Sequence, residues 1–208
     1  MSTASAESAD MFGLGKRKTV EAMLAELATV GIELRSGISA DRLMGSYARA
    51  DIEKGGFEIL LAVMGDEQYD PTTFAVLEPL TDDVWHFDTE AIEDHGAYVR
   101  IVECCRRLAG GDLKFDDVRD YVDVEEETAW VEVSHDGRTE RVDLKVKNDW
   151  VDANIFAKLQ DWLEQSGSRR CFAAQGLGQD LLLICKPPDQ VKAINRATGL
   201  RFKADLNI

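Results

Sequence analysis

The chain has 208 residues, with 39 Asp plus Glu against 24 Lys plus Arg and a formal net charge of -15. A field of that sign repels nucleic acid and anionic lipid and draws in basic partners, so neither a nucleic-acid nor a membrane role is expected. Hydrophobic residues make up 45% of the chain and charged residues 30%, a globular balance that builds a core without disulfides or metals.

Residues 1–15 are rich in Ser and Ala, acidic, and without an apolar h-region. They read as a disordered tail and not as a signal peptide. Residues 16–208 are expected to form a single α+β domain. The first helix is placed over 16–30, where Val20, Met23, Leu24 and Leu27 recur at helical spacing before Gly31. A short extended piece is expected over 32–34. Ser39 reads as the N-cap of a helix over 40–50 that carries Leu43, Met44 and Tyr47. The run 57–64 fits i, i+3, i+4, i+7 through Phe57, Leu60, Leu61 and Met64, with Gly65 as its C′ residue, and is assigned to helix.

Short strands are predicted over 72–77 and 84–87. A stripe of Tyr98, Ile101, Val102, Cys105 and Leu108 marks a helix over 96–109, closed by Gly110 and Gly111. One more helical turn is expected over 116–121. The character of the chain changes in the acidic stretch 123–127, the one place where a subdomain boundary would fall. Residues 128–134 alternate apolar and polar, His135-Asp136-Gly137 is a hairpin turn, and 138–146 alternates again. A helix is predicted over 152–165. Strands over 170–175 and 181–186 flank Gly176-Leu177-Gly178. A helix over 189–198 stops at Gly199, and 200–203 is expected as a last edge strand. The predicted architecture is therefore a helical N-terminal half followed by an antiparallel meander sheet with two helices, β-β-α-β-β-α.

Cys104, Cys105, Cys171 and Cys185 form no CxxC pair, and most lie in apolar stretches. They read as reduced thiols packed in a core, which implies a reducing, cytoplasmic setting. No stretch approaches the roughly 18 apolar residues of a membrane span. The loop Gly176 to Gln179 lacks a lysine and a following helix, so it is read as a hairpin turn and not as a phosphate cradle.

Two stretches carry candidate site residues. The first is 86–95, where His86, Asp88, Glu90 and His95 are metal ligands by type. Their spacing matches no metal motif. The same residues also read as helix capping, with Asp88 as the cap and the acids at a positive helix end. The second is 148–152, where Asp149 and Asp152 flank Trp150 ahead of a helix. An aromatic between acids suits a contact for a basic partner, and it suits better still a capping carboxylate beside a tryptophan that covers a sheet edge. No catalytic residue and no cofactor is assigned.

The layout of Val84-Trp85-His86-Phe87-Asp88-Thr89-Glu90-Ala91-Ile92, the helix of Tyr98, then Asn148-Asp149-Trp150-Val151-Asp152 with its helix and the hairpin from Gly176 to Asp180, resembles small acidic immunity-type proteins of bacterial toxin–immunity loci. The resemblance spans about residues 57–202 and is one of pattern. It implies a non-enzymatic protein that neutralises a toxin by masking it, and it transfers no binding residue; the acidic charge is compatible with a basic protein partner. Two alternatives stay open. One is a homo-oligomeric structural or assembly protein. The other is a metal-dependent enzyme centred on His86, Asp88, Glu90 and His95.

Overall fold

The computed structural model describes residues 17–45, 47–204 and 206. The tail expected over 1–15 lies outside the described residues. The chain is α+β, with antiparallel strands in two three-stranded sheets.

The inner sheet has the order β1-β6-β5. Its strands are β1 (Trp85–Asp88), β5 (Cys171–Leu177) and β6 (Asp180–Lys186). β6 lies in the middle, and its apolar run reads like a strand covered on both faces. Leu181, Leu183 and Cys185 point into one core, and Leu182 and Ile184 into a second. All five are 2% exposed or less. At about 1.5–3 kcal/mol for each large apolar side chain buried, this strand anchors both cores.

The second core is closed by helices α1 (Val20–Thr29), α3 (Arg49–Gly65) and α6 (Pro188–Thr198). Thr19 caps α1 by accepting the Ala22 N–H, so the helix starts at Val20 and not at residue 16. The helix expected over 40–50 is interrupted. α2 (Ala40–Leu43) is a single turn, and Met44 and Gly45 turn the chain before α3 begins. Gly56 kinks α3 at φ 67°, ψ -148°, which leaves 57–65 as the helical segment read from the sequence. Gly65 is the last residue of that segment and not a C′ cap.

The first core lies between the two sheets. It is filled by α4 (Ala97–Leu108) and α5 (Asn154–Gln165) and roofed by the outer sheet, order β2-β3-β4. Those strands are β2 (Asp117–Asp123), β3 (Thr128–His135) and β4 (Arg138–Leu144). Val131 and Val133 of β3 face the core, while Trp130 and Glu132 face outward, as the alternation predicts. Asp136 at φ 49° and Gly137 at φ 70° form the two-residue turn from β3 to β4.

Four further expectations give way. Residues 116–121 are not a helical turn, because β2 pairs with β3 along its length. The spacing of Val118 and Val122 suits a strand as well as a helix, and pairing with a ready alternating partner wins. Residues 72–77 are not a strand. The Asp70 carboxylate accepts the N–H groups of Thr72 and Thr73, which turns the chain and leaves only a Tyr69–Val76 bridge. No strand forms over 32–34. Residues 200–203 contribute a single bridge, Ala174–Lys203. Of the acidic stretch 123–127, Asp123 ends β2 and residues 124–127 form the turn to β3.

Candidate functional site

The two stretches marked in the sequence meet. β1 ends at Asp88, and the chain then runs against the segment ahead of α5. Ile92 donates its N–H to the Asp149 carbonyl at 2.8 Å, and Val151 donates to the Thr89 carbonyl at 2.9 Å. Glu90 and Trp150 face each other as an antiparallel bridge. The β5–β6 turn joins them: the buried Thr89 hydroxyl donates to the Gln179 carbonyl at 2.5 Å. The Gln179 side-chain amide donates to Asp88 at 3.2 Å and to Glu90 at 2.6 Å. On the other side, Val122 of β2 donates its N–H to His95 Nδ1 at 3.1 Å, which brings the β2–β3 turn alongside.

Four segments thus converge at one end of the molecule, and their charge is one-sided. They hold Asp88, Glu90, Glu93 and Asp94 on the first, Asp123, Glu125, Glu126 and Glu127 on the second, Asp149 and Asp152 on the third, and Asp180 on the turn. Residues 86–96, 123–127, 148–152 and 178–180 contain no Lys or Arg. Lys145 and Lys147 border the patch. Glu93, Asp94 and Glu125 to Glu127 are exposed. So many like charges at one end raise the local negative potential and favour cations there.

Trp150 is 38% exposed in this setting. Its two acidic neighbours do different things. Asp152 is a structural carboxylate, accepting the N–H groups of Lys145 at 2.7 Å and Asn154 at 3.0 Å ahead of α5. Asp149 offers its carbonyl to Ile92 and leaves its carboxylate, half-buried, beside Trp150.

The four metal-ligand candidates are not gathered. His86 lies between Asp66, 3.5 Å from Nδ1, and Asp180, 3.9 Å from Nε2. The hydrogen bond with Asp66 raises its pKa against the opposing effect of burial. Asp88 accepts the Glu90 N–H at 2.9 Å in a turn at the end of β1, and not as the helix cap read from the sequence, because the next helix, α4, starts only at Ala97 with Gly96 at its N-cap. His95 sits apart, its Nδ1 occupied by Val122. Among the described residues no group of three or more His, Cys, Asp or Glu is placed to hold one ion. The quartet is distributed because β1 projects His86 toward the end of α3, while His95 follows a loop to β2.

The thiols are not poised as nucleophiles. Burial pushes Cys104 up to about 11 and Cys185 up to about 12, and raises Cys105 well above its ordinary value. A thiol kept neutral by an apolar setting is inert at neutral pH.

One feature of this face escapes sequence reasoning. On the outward side of the outer sheet, His95 packs on Tyr121 at 4.8 Å between ring centroids. Tyr121 stacks on its cross-strand partner Trp130 at 6.1 Å and 11°. The Arg141 guanidinium lies 4.5 Å over the Trp130 ring. The strip starts at the carboxylate-rich end and crosses the sheet. Its ring faces suit cationic groups, as the seat of Arg141 illustrates. The alternation of β3 placed Trp130 outward, but reading 116–121 as helix hid its pairing with Tyr121.

Comparison of the chain with protein-family models, with curated proteins and with solved structures returns no match. No helix among the described residues is long and apolar enough to cross a membrane.

Proposed function

We propose that this chain is a non-enzymatic binding protein that masks a basic protein partner, in the manner of immunity-type proteins. The observation that carries the reading is the convergence of four segments without Lys or Arg at one end of the fold, beside the half-exposed Trp150 and the His95–Tyr121–Trp130 strip. A carboxylate field steers a cationic partner into encounter, and exposed aromatics hold it once docked. Dispersed histidines and neutral thiols supply no reactive set that would compete with this reading.

The test titrates the full chain with the product of a neighbouring gene whose C-terminal domain is basic. Association should slow by about tenfold or more as salt rises from low to well above physiological levels. Glu90→Lys combined with Asp149→Lys should slow it by a similar factor at low salt. An affinity and an on-rate indifferent to both salt and charge reversal would reject the reading, as would the absence of binding.

A further inference from the structure

Residues 55–99 hold eleven Asp or Glu and no Lys or Arg. Within them, between α3 and β1, residues 68–77 fold back as a small projecting loop. Leu77 donates its N–H to the Gln68 carbonyl at 2.8 Å, and Asp70 donates to the Ala75 carbonyl at 2.9 Å. The loop turns its apolar side chains outward. Phe74 is 78% exposed, Val76 63% and Tyr69 46%. Phe74 also holds φ 57°, a left-handed backbone that bulky residues rarely adopt. Folding alone gives no return for that placement, since the ring gains little burial.

The base of the loop is held rigid. Arg100 of α4 reaches Glu67 through Nε at 2.8 Å and the Tyr69 hydroxyl at 3.0 Å. Beside it lies an open groove of about 350 Å³ with apolar lining from Val76, Leu77, Pro79 and Cys104; Asp66, Glu67 and Glu103 line it against two arginines, Arg100, paired with Glu67, and Arg107, which donates to the Thr81 carbonyl. A rigid apolar knob next to an apolar groove is a preorganised docking surface.

We infer that this loop and groove dock an amphipathic segment of a basic protein partner, its apolar side against Phe74 and Val76 and its Lys or Arg toward the surrounding carboxylates. The inference rests on the proposed function and adds the surface and the chemistry of what it holds. Charge selects this occupant over a second copy, because two chains of net charge -15 repel each other.

Two labelled peptides of equal positive charge separate the possibilities by fluorescence polarisation. One carries Lys and Leu at amphipathic helical spacing, and the other has each Leu replaced by Ser. The full chain should bind the Lys–Leu peptide about tenfold or more tightly than the Lys–Ser peptide, since burying one or two large apolar side chains is worth that much. Phe74→Ser with Val76→Ser should bring the two affinities to within about twofold while leaving the melting temperature unchanged, because both side chains already face solvent. If the double variant keeps the preference, or the unmodified chain shows none while binding both peptides, the loop is not the docking surface although the charge reading survives. If neither peptide binds at low salt, the binding function itself fails and this inference with it. A dimer of the unmodified chain that the double variant abolishes would overturn the inference in favour of self-association.

Discussion

The Asp120 carboxylate, carried on β2, accepts the backbone N–H of Tyr98 at 2.8 Å in the first turn of α4. It also takes the N–H groups of Gly96 at 2.7 Å and Val99 at 3.1 Å. α4 has no side chain of its own at the N-cap, where Gly96 sits at φ 94°. A strand more than twenty residues downstream therefore supplies both the acceptors and the negative charge that the helix N-terminus needs. Asp120→Ala should destabilise the chain by about 1–2 kcal/mol, and Asp120→Asn by less, because the amide oxygen still accepts but the charge is gone. Urea unfolding measures both. A loss for Asp120→Ala within error of zero would show that water replaces the carboxylate at no cost.

Gly65 makes the reverse of the usual helix prediction. Alanine normally improves a helix over glycine by about 1 kcal/mol. Here an added Cβ would sit 2.6 Å from the His86 nitrogen and 2.9 Å from the Trp85 carbonyl carbon, both backbone atoms of β1. α3 and β1 would have to separate, and the core between them would open. Gly65→Ala is therefore expected to destabilise by about 1–3 kcal/mol. A stabilised variant in thermal or urea unfolding would mean that α3 does not approach β1 as closely as these distances require.

What the sequence reveals of this fold depends on how local the cause is. The run from Leu181 to Cys185 announces a strand covered on both faces, because each residue must be apolar there. The alternation of β3 and the Asp136-Gly137 turn are equally local. Failures occur where a distant group decides. The β-prone residues 72–77 have no neighbouring strand to pair with, and Asp70 turns them into a loop. Residues 116–121 suit two periods, and only the presence of β3 chooses between them. The candidate site divides in the same way. Asp149 and Trp150 are visible as an aromatic among acids, whereas their contact with Ile92 and Glu90 belongs to the tertiary fold. Tyr121 next to His95 also has no sequence signature, since the two belong to a strand and a loop separated in the chain by the whole of α4.

His86 and Asp66 give the fold a pH window. The hydrogen bond between them, 3.5 Å across Nδ1 and Oδ1, raises His86 above its ordinary value near 6.5 despite burial, and Asp180 and Asp88 add to the rise. Burial pushes Asp66 upward, but the hydrogen bonds to His86 and Tyr47 outweigh it and hold the carboxyl below the ordinary aspartate range. A raised histidine stabilises the fold fully below its unfolded value, and that contribution is lost as pH rises through the higher folded value. A lowered carboxyl stabilises above its unfolded value, and its contribution is lost as pH falls through the lower folded value. Together they place this pair's best contribution between about pH 4 and 6.5. Unfolding free energy measured from pH 5 to 9 should fall on the alkaline side, and His86→Gln should flatten that fall while lowering stability most at the acidic end of the range. A His86→Gln profile parallel to that of the unmodified chain would assign the alkaline loss to other groups and leave the pair without a role in it.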